Sequence, residues 1–244
     1  MQGIYIITGT SRGIGKAVAA CLLETGQRVF GISRSASPLA GTRGFAEILG
    51  SVTDAAVIGP LFEVVRAALA DQDCDLLCLL NNAALLEPMK PVEHCLVDEI
   101  RQHIEVNLTA PIMLTARFMA FFADLERRKK VVFMTSGAGR RPLPDMSLYC
   151  STKAGLSMFS DCVGREQEGQ ANAFEIAAIS PGMVETDMQS TARAKSAGVF
   201  RSGELFRGAL ADGVVQDADA VARKICAIME ARTEMGETVS VSEW

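Results

Sequence analysis

The sequence predicts a doubly wound α/β fold, in which about seven parallel strands carry helices on both faces of the sheet. Two observations support this fold class. Short apolar runs recur along the 244 residues, and several lack the alternation expected of a strand with one exposed face. Longer segments with helical spacing separate these runs. Such alternation is typical of a parallel sheet, since parallel neighbours need a crossover connection.

The predicted elements alternate along the whole chain. Strands are expected at residues 3–8, 28–33, 45–50, 75–81, 130–136, 174–180 and 237–242. Helices are expected at residues 13–26 and 55–71, as a long pair from about 92 to 126, and at residues 150–168 and 217–232. The sequence has no internal repeat, low-complexity tract or linker. Residues 1–244 are therefore predicted to form a single domain.

One long segment fits neither pattern. Residues 185–213 are punctuated by glycine and serine, with apolar residues scattered between them. A connection of this length inside a compact domain is usually functional. We therefore interpret the segment from about 185 to 213 as a lid over the active site.

Composition excludes several classes of function. The chain has 24 Lys and Arg residues against 29 Asp and Glu residues, whereas a general nucleic-acid-binding protein needs excess positive charge. The one basic run, residues 127–130, directly precedes an apolar run, which favours a solvated helix end or a loop before a strand. The seven cysteines and two histidines show no metal-ligand spacing, so no metal site is predicted.

The sequence also bears on location. The cysteines include no CxxC pair, and they suit reduced thiols in a cytosolic protein. The N-terminus begins a predicted strand almost at once, without the basic and long apolar regions of a signal peptide. No apolar run approaches the roughly 20 residues that span a bilayer. We therefore predict a cytoplasmic protein without a membrane partner.

A glycine-rich turn after the first strand predicts the cofactor. The sequence from Thr8 to Gly15 is TGTSRGIG, and a predicted helix follows. Glycine permits a tight turn and lets a pyrophosphate approach the backbone. The helix N-terminus adds free N–H groups and the positive end of the helix dipole. We expect a dinucleotide to contact Gly9, Ser11, Arg12, Gly13, Ile14 and Gly15.

The end of the second strand predicts which dinucleotide binds. An NAD site usually has an acidic residue about 20 residues after the glycine turn, where it holds the ribose hydroxyls. No Asp or Glu lies between Glu24 and Glu47. Instead Ser33 and Arg34 occupy that position, and Arg12 lies in the glycine turn. Two guanidinium groups suit a 2′-phosphate, so the sequence favours NADPH over NADH.

A rare pair of residues predicts proton-transfer chemistry. The chain has only two tyrosines, and one of them, Tyr149, lies four residues before Lys153. Positions four apart share a face of a helix. A free phenol has a pKa of about 10, and a neighbouring cation favours the phenolate. We therefore expect Lys153 to lower the pKa of Tyr149 toward the working pH.

Four further motifs complete a recognisable set. They are NNAA at residues 81–84, VNLTAP with Asn107, TSGAG with Ser136, and SPGMVETDM at residues 180–188. In this order and spacing, and together with the glycine turn and the Tyr–Lys pair, they resemble the motifs of the short-chain dehydrogenase/reductase family. The resemblance covers nearly the whole chain. Within the family, the sequence is most similar to the branch that contains sepiapterin reductases and the benzil reductases that form (S)-benzoin.

The resemblance implies a catalytic set within a single-domain Rossmann fold. Tyr149 is expected to be the general acid in carbonyl reduction, with Lys153 beside it and the cofactor ribose. Ser136 is expected at the end of the fifth strand, where its hydroxyl can donate to the substrate carbonyl; the adjacent Thr135 is a rival for this role. Asn107 is expected to distort its helix and to hold a water that contacts the lysine.

The resemblance also implies further cofactor contacts. Beside Tyr149 and Lys153, they are Val52, Asn81, Asn82, Ala83, Pro181, Gly182, Val184 and Thr186. Two positions depart from the family pattern. Ser51 stands where an acidic residue often contacts the adenine, so that contact is in doubt. Ala84 stands where glycine is common, which restricts the backbone.

Large apolar residues near the motifs suggest the substrate. The predicted contacts are Leu143, Met146, Met183 and Met188, in a wall that also includes Leu85, Leu86, Val199 and Phe200. Methionine adapts to varied shapes, and such a wall favours a hydrophobic, aromatic ketone or diketone. A pterin would need a buried carboxylate, and three acidic residues lie near the motifs: Asp145, Glu185 and Asp187.

Together these features predict an NADPH-dependent carbonyl reductase of small molecules. One alternative is a reductase of 3-oxoacyl thioesters, for which a basic surface that binds an acidic carrier protein would be expected; the isoelectric point near 5.2 argues against it. Another is an NADPH-binding sensor or scaffold, although no catalytic residue is missing. The resemblance also implies a homodimer or homotetramer, built through helices within residues 92–126 and 150–168.

Overall fold

The computed structural model describes residues 2–71, 74–195 and 199–244. Within them, seven parallel strands form one sheet, as predicted. The order across the sheet is β3-β2-β1-β4-β5-β6-β7. The strands are β1 (Gly3–Thr8), β2 (Arg28–Ser33), β3 (Phe45–Leu49), β4 (Leu76–Asn81), β5 (Arg128–Met134), β6 (Phe174–Ser180) and β7 (Thr238–Ser240).

Helices cover both faces of this sheet, which confirms the predicted fold class. They are α1 (Gly13–Glu24), α2 (Ala55–Asp71), α3 (Val97–Ile104), α4 (Ala110–Phe121), α5 (Ser147–Gln167), α6 (Asp187–Ala194), α7 (Gly203–Ala211) and α8 (Ala218–Glu230). Helix α5 begins before the predicted start at residue 150, so that Tyr149 lies in its first turn. None of the described helices is long and apolar enough to cross a membrane.

Strand side chains are buried on both faces, which explains the missing alternation. In β1, Ile4 and Ile6 pack in the core that α2, α4 and α5 cover. Tyr5 and Ile7 point to the opposite face, into the core that α1 and α8 cover. Burying one such aliphatic side chain contributes roughly 1.5–3 kcal/mol. A polar residue at any of these positions would leave an unpaired group in the core.

The strand order places a crevice at one edge of the sheet. The chain builds β1, β2 and β3 outward and then returns to place β4 beside β1. In open α/β sheets, ligands bind beyond the carboxyl ends of the strands at such a reversal. The glycine turn after β1 and Asn82 after β4 both lie at this point.

The predicted helix pair between residues 92 and 126 is interrupted by a wider turn. Helix α3 leads into a π-helical turn, Glu105–Thr109, and α4 follows directly. Asn107 lies in the middle of this turn and is buried. The resemblance implied such a distortion at Asn107, and π turns of this kind often occur at functional sites.

The basic run at residues 127–130 is not the solvated segment that the sequence suggested. Arg128 begins β5, and Lys129 and Lys130 are fully buried. The ammonium of Lys130 donates to the carbonyl oxygens of Ile228 and Ala231, at 2.9 and 2.8 Å. These carbonyls lie at the C-terminus of α8, where helix oxygens lack partners within the helix. The lysine is therefore buried because it satisfies the end of a helix.

The predicted lid contains two helices, α6 and α7, rather than an irregular loop. Residues 196–198 within it lie outside the described residues. Gln216 closes its base: the main chain of Gln216 exchanges hydrogen bonds with Met183 and Glu185, at 2.8 and 2.9 Å. The two ends of the segment are thereby held together.

Candidate active site

A cavity of about 720 Å³ opens at the carboxyl edge of the sheet. It extends from the glycine turn, past the ends of β2 and β3, to Tyr149 and Lys153 on α5. Met188 of α6 also lines it. One space therefore joins the predicted cofactor residues with the predicted catalytic residues.

The glycine turn forms a cradle that side chains would fill. Gly9 and Gly13 have φ values of +78° and +58°, in the left-handed region that favours glycine. A Cβ at Gly15 would collide with the carbonyl oxygen of Gly9 and the amide of Asn82. The side chain of Arg12 does not cap the N-terminus of α1, so helix N–H groups remain for a ligand. Ser11 and Ile14 line the cavity beside them. This donor set fits a pyrophosphate.

The loop after β4 is tied to the glycine turn. The Asn82 side-chain amide donates to the Thr8 carbonyl oxygen at 2.8 Å. The main-chain N–H groups of Asn82 and Ala83 both donate to the Thr8 hydroxyl, at 2.9 Å each. These bonds fix the two walls of the crevice relative to each other. Asn82, Ala83 and Ala84 all line the cavity.

Ser33, Arg34 and Arg12 line the same cavity, as the NADPH prediction requires. The side chains of Arg34 and Arg12 are exposed. Arg12 also lies 3.7 Å from the carboxylate of Asp187, and both side chains are more than two-thirds exposed. An ion pair this exposed is weak. The guanidinium of Arg12 is therefore not committed to this partner.

Sequence reasoning missed Glu47, which lies on β3 beside this end of the cavity. Its carboxylate is 2.8 Å from the Ser33 hydroxyl and accepts from the main-chain N–H of Ser37 at 3.0 Å. The Ser37 hydroxyl in turn donates to the Thr10 carbonyl oxygen at 2.9 Å. Glu47 thus holds the loop that carries Arg34 against the glycine turn. Only the β2–β3 register, which pairs Glu47 with Gly31, brings it there.

The segment after β3 carries hydroxyl groups where the family has an acidic residue. Ser51, Val52 and Thr53 line the cavity. The Ser51 and Thr53 hydroxyls lie 2.8 Å apart, and the Thr53 N–H donates to the Ser51 hydroxyl. The turn is therefore held by its own side chains, with Val52 at its centre.

Tyr149 and Ser136 meet at the wall of the cavity. Their hydroxyl groups are hydrogen-bonded. Burial raises the pKa of Tyr149 to about 12, and the hydrogen bond from Ser136 only partly opposes it. The expected lowering of this pKa by Lys153 is therefore not found. The Lys153 ammonium nitrogen lies 5.6 Å from the centre of the Tyr149 ring, too far to outweigh the desolvation of the phenolate.

Lys153 is a buried cation that faces the cavity. Within the described residues its ammonium has one hydrogen-bond acceptor, the carbonyl oxygen of Met134 at 2.8 Å. Burial lowers the pKa of Lys153 to about 8. The group is therefore still largely charged at neutral pH, and it retains donors that can hold a ribose.

Asn107 bonds to the loop after β4. Its amide oxygen accepts from the Leu85 N–H and its amide nitrogen donates to the Leu85 carbonyl oxygen, both at 2.7 Å. The amide nitrogen also lies 2.9 Å from Nε2 of His103, a residue that the sequence analysis did not single out. A helical spacing of four residues from Asn107 was the one signal that could have indicated it.

An apolar cluster lies next to Tyr149. Its buried members are Leu86, Met89, Met146, Ala192, Phe200 and Phe206, and four further side chains pack against them: Leu143, Tyr149, Cys150 and Met188. The lid thus covers the loop after β4 and the N-terminus of α5. Of the four predicted substrate contacts, Leu143, Met146 and Met188 belong to this group.

Several predicted contacts lie outside the cavity and the apolar cluster. Met183 is half-buried at the base of the lid, and Val199 is exposed. Val184 packs in the core that α1 and α8 cover. Gly182 is exposed with a φ of +77°. By contrast, Pro181 and Thr186 of the same segment line the cavity.

Asn81 also lies away from the crevice. It ends β4, and its amide donates to the Thr115 hydroxyl of α4 at 3.1 Å. Successive residues of a strand point to opposite faces. The sequence analysis expected both Asn81 and Asn82 to face the cofactor. Because they point to opposite faces, only Asn82 lines the cavity.

Asp145 is the buried carboxylate nearest the catalytic helix, and Arg201 of the lid binds it. The Arg201 guanidinium donates to Asp145 at 2.6 and 3.0 Å, and the Arg201 N–H donates at 2.7 Å. These bonds hold the pKa of Asp145 below its usual range. Asp145 has a φ of +65°, a conformation that Asp tolerates better than most residues. The pair joins the lid to the segment before Tyr149.

Comparison with known proteins decides the family. The model of the short chain dehydrogenase family matches residues 3–197. The chain belongs to this family. It is 32% identical to a benzil reductase ((S)-benzoin forming) of Bacillus subtilis over 241 residues, which cover 99% of both chains. It is 30% identical to the 3-oxoacyl-[acyl-carrier-protein] reductase FabG of Escherichia coli, over 98% of this chain and 95% of that one.

Solved structures agree on the fold. The crystal structure of the KRED1-Pglu enzyme superposes with a TM-score of 0.84 at 24% sequence identity, covering 97% of this chain and all of that one. At this identity the likeness supports the architecture alone. The family identity nevertheless shows an oxidoreductase that acts on carbonyl or hydroxyl groups with a nicotinamide cofactor.

Proposed function

We propose that this protein is an NADPH-dependent carbonyl reductase that acts on an apolar ketone or diketone. The observation that carries the proposal is the hydrogen-bonded pair of Tyr149 and Ser136. The pair lies between a cavity with a phosphate cradle and an apolar cluster under the lid. This arrangement supports Tyr149 as a proton donor between a nicotinamide and a carbonyl group.

Tyr149 supplies the proton in this scheme. Its raised pKa keeps the phenol protonated at neutral pH, which is the form that a general acid needs. As negative charge develops on the carbonyl oxygen, the phenol gives up its proton and the Ser136 hydroxyl donates a hydrogen bond to that oxygen. Lys153 stabilises the phenolate that remains. The nicotinamide supplies the hydride when bound.

NADPH rather than NADH is proposed because of the ribose end of the cavity. Arg12 and Arg34 both line it, and the loop that carries Arg34 is held by Glu47. Guanidinium groups bind a phosphate with paired hydrogen bonds. The Glu47 carboxylate is hydrogen-bonded to Ser33 and Ser37 and does not line the cavity. It therefore does not take the place of the acidic residue of an NAD site.

The substrate is proposed to be an apolar dicarbonyl such as benzil rather than a pterin. A pterin needs a free buried carboxylate for its guanidine-like edge. In the described part of the chain, Asp145 is the buried carboxylate beside the site, and Arg201 already binds it; Glu105 and Asp187, which line the cavity, are exposed. The name of the Bacillus subtilis relative points to the same substrate class.

The second candidate is reduction of a 3-oxoacyl thioester, which the similarity to the Escherichia coli reductase favours. A turnover screen separates the two. With NADPH, we expect benzil to give a higher kcat/KM than sepiapterin or a 3-oxoacyl thioester. A preference for the thioester would replace the first candidate with the second, and no turnover of any carbonyl would leave a binding protein.

Coenzyme preference has its own experiment. Replacing Arg34→Asp and Arg12→Ala together should remove the preference for NADPH, measured as the ratio of kcat/KM values for NADPH and NADH. Arg43→Asp is the matched control, because Arg43 is exposed on the same connection between β2 and β3 but does not line the cavity. An unchanged ratio in the double variant would refute the assignment.

We also propose that the chain forms a homodimer or homotetramer through α3, α4 and α5. Support comes from large apolar side chains on α3 and α5 that are exposed in the single chain. Val97 is 62% exposed, Ile104 38% and Met158 63%. Light scattering of the purified protein measures the assembly, and Met158→Glu should reduce its mass if this face is buried in it.

A further inference from the structure

His103 is a fully buried histidine that takes no part in the proposed proton transfer. It lies in the last turn of α3, four residues before Asn107. Its ring packs edge to face against Tyr149, with ring centres 6.2 Å apart and planes at 75°. The only other histidine of the chain, His94, is exposed. A polar ring in this position needs partners for both nitrogens.

The partners of the two nitrogens define the protonation state. Nδ1 lies 2.6 Å from the main-chain carbonyl oxygen of Glu87. A carbonyl oxygen can only accept, so Nδ1 carries the hydrogen. Nε2 lies 2.9 Å from the amide nitrogen of Asn107. An amide nitrogen can only donate, so Nε2 is the bare acceptor. His103 is therefore the neutral Nδ1–H tautomer.

The orientation of the Asn107 amide is settled independently. Its oxygen faces the Leu85 N–H and its nitrogen faces the Leu85 carbonyl oxygen, both at 2.7 Å. Turning the amide over would set two acceptors against each other and two donors against each other. The amide nitrogen therefore points one hydrogen at Leu85 and the other at His103.

The surroundings of His103 agree with a neutral ring. Burial lowers the pKa of His103 and outweighs the hydrogen bond to the Glu87 carbonyl oxygen, which acts in the opposite direction; the Lys153 ammonium on α5 adds to the lowering. The other neighbours on α5 are the phenol of Tyr149 and the hydroxyl of Thr152, which lies 3.5 Å from Nε2. From the loop after β4, Glu87 offers its main chain, while its carboxylate pairs with Lys195.

His103 and Asn107 thereby hold one stretch of chain at two points. Asn107 holds Leu85 and His103 holds Glu87. Leu85 lines the cavity, and Leu86 lies in the apolar cluster that Tyr149 contacts. The Glu87 carboxylate continues to Lys195, which follows α6 in the lid, at 2.9 Å. This stretch is thus the wall between the catalytic helices and the lid.

We propose that His103 is a positioning residue for carbonyl reduction: as the neutral Nδ1–H tautomer it fixes Asn107 and residues 85–87, and with them the wall of the carbonyl site. The effect on turnover rests on the proposed reductase function. The tautomer and the hold on the loop do not, so they can be tested without any substrate.

The first test is ¹⁵N NMR of the two imidazole rings, with His94→Leu to assign the signals. We expect His103 to show a protonated Nδ1 and a bare Nε2 at pH 6.5, where an ordinary histidine is about half protonated. A hydrogen on Nε2, or a doubly protonated ring at this pH, would overturn the proposal. This result does not depend on whether the protein reduces benzil.

The second test uses variants that keep one bond each. His103→Gln can place an amide oxygen near the Nε2 position and accept from Asn107, while His103→Asn can donate from near the Nδ1 position to Glu87. His103→Leu removes both bonds. We expect His103→Leu to lower kcat/KM for benzil by about tenfold, mainly through KM. NADPH affinity should change by less than about twofold, and His103→Gln should recover part of the loss.

His94→Leu is the matched control and should keep the kinetic constants of the unmodified protein. Wild-type kcat and KM in His103→Leu would overturn the positioning role, as would equal losses in the Gln and Leu variants. If His103→Leu does not fold, the His103→Gln and His103→Asn variants are compared with the unmodified protein. A kcat/KM for benzil that is equally low in both variants counts against the proposal. Absence of benzil turnover in the unmodified protein would instead reject the proposed function.

Discussion

Two buried lysines contact opposite ends of strand β5: Lys130 lies in the strand near its amino end, and Lys153 of α5 donates to its last carbonyl oxygen. At the amino end, the Lys130 ammonium is bound by two helix carbonyl oxygens, at 2.9 and 2.8 Å. At the carboxyl end, the Lys153 ammonium has the carbonyl oxygen of Met134, the last residue of β5, at 2.8 Å and faces the cavity. Burial lowers the pKa of both.

The two lysines differ in how many acceptors the described part of the chain supplies for the ammonium group. Lys130 finds its acceptors in the protein, so its burial stabilises the end of α8. Lys153 keeps donors available toward the cavity. The free-energy cost of removing its ammonium from water is therefore only partly offset by hydrogen bonds. Such an incompletely paired, buried ionisable group in a cleft is typical of a functional site.

The largest expected effect is that of Tyr149→Phe at the carboxyl edge. Removing the proton donor should lower kcat for benzil reduction by about 10²–10⁴-fold. The affinity for NADPH, measured by fluorescence titration, should stay the same because the cradle lies elsewhere. A kcat close to that of the unmodified enzyme would show that another group gives the proton.

Replacing Lys130 of β5 and Lys153 of α5 by methionine, one at a time, tests the comparison directly. Lys153→Met should lower kcat/KM by about 10²-fold or more, as for a lost electrostatic donor, with a small change in Tm. Lys130→Met should leave kcat unchanged but lower the free energy of unfolding by about 1–3 kcal/mol, because two buried carbonyls lose their donor. Enzyme kinetics and urea unfolding of both variants measure this. The reverse pattern would contradict the distinction.

The pH dependence sharpens the assignment of Lys153. Its pKa is lowered to about 8, so the ammonium is charged below this pH and loses its proton above it. We expect kcat/KM for reduction to fall as the pH rises above about 8. In Lys153→Arg the guanidinium stays charged, and this alkaline decline should disappear. A decline that persists in that variant would assign the titration to another group.

The smallest expected effect concerns the contact between Asp145 and Arg201. Arg201→Leu removes the guanidinium hydrogen bonds to Asp145 and leaves the main-chain hydrogen bond at residue 201 in place. KM for the carbonyl substrate should rise by about threefold to tenfold, comparable to one lost hydrogen bond, with kcat little changed. Arg101→Leu is the control, since Arg101 forms an exposed pair with Asp98 at 3.6 Å. Equal KM values in the Arg201→Leu and Arg101→Leu variants would show that the Asp145–Arg201 contact does not affect substrate binding.

Much of the fold could be predicted because its signals are local. The seven strands overlap the apolar runs, and the glycine turn and the Tyr149–Lys153 spacing lie within single segments. Leu143, Met146 and Met188 pack in one apolar cluster with Tyr149, and their contact with a substrate stays a prediction. The sequence did not indicate to which face of the sheet the side chain of Asn81 points. It also did not indicate that Lys129 and Lys130 of the basic run are buried.

The sequence by itself determined the order of strands and helices and the family, and it singled out Tyr149 and Lys153 as the expected proton-transfer pair, because periodicity, glycine turns and helical spacing act over a few residues. The tertiary structure alone decided which charged groups are satisfied. Lys130 reaches carbonyls about 100 residues away, and His103 reaches Glu87 across 16 residues. The raised pKa of Tyr149 likewise depends on the segments packed around it. Burial and hydrogen-bond partners are properties of the assembled chain, so they follow from the fold and not from any one stretch of sequence.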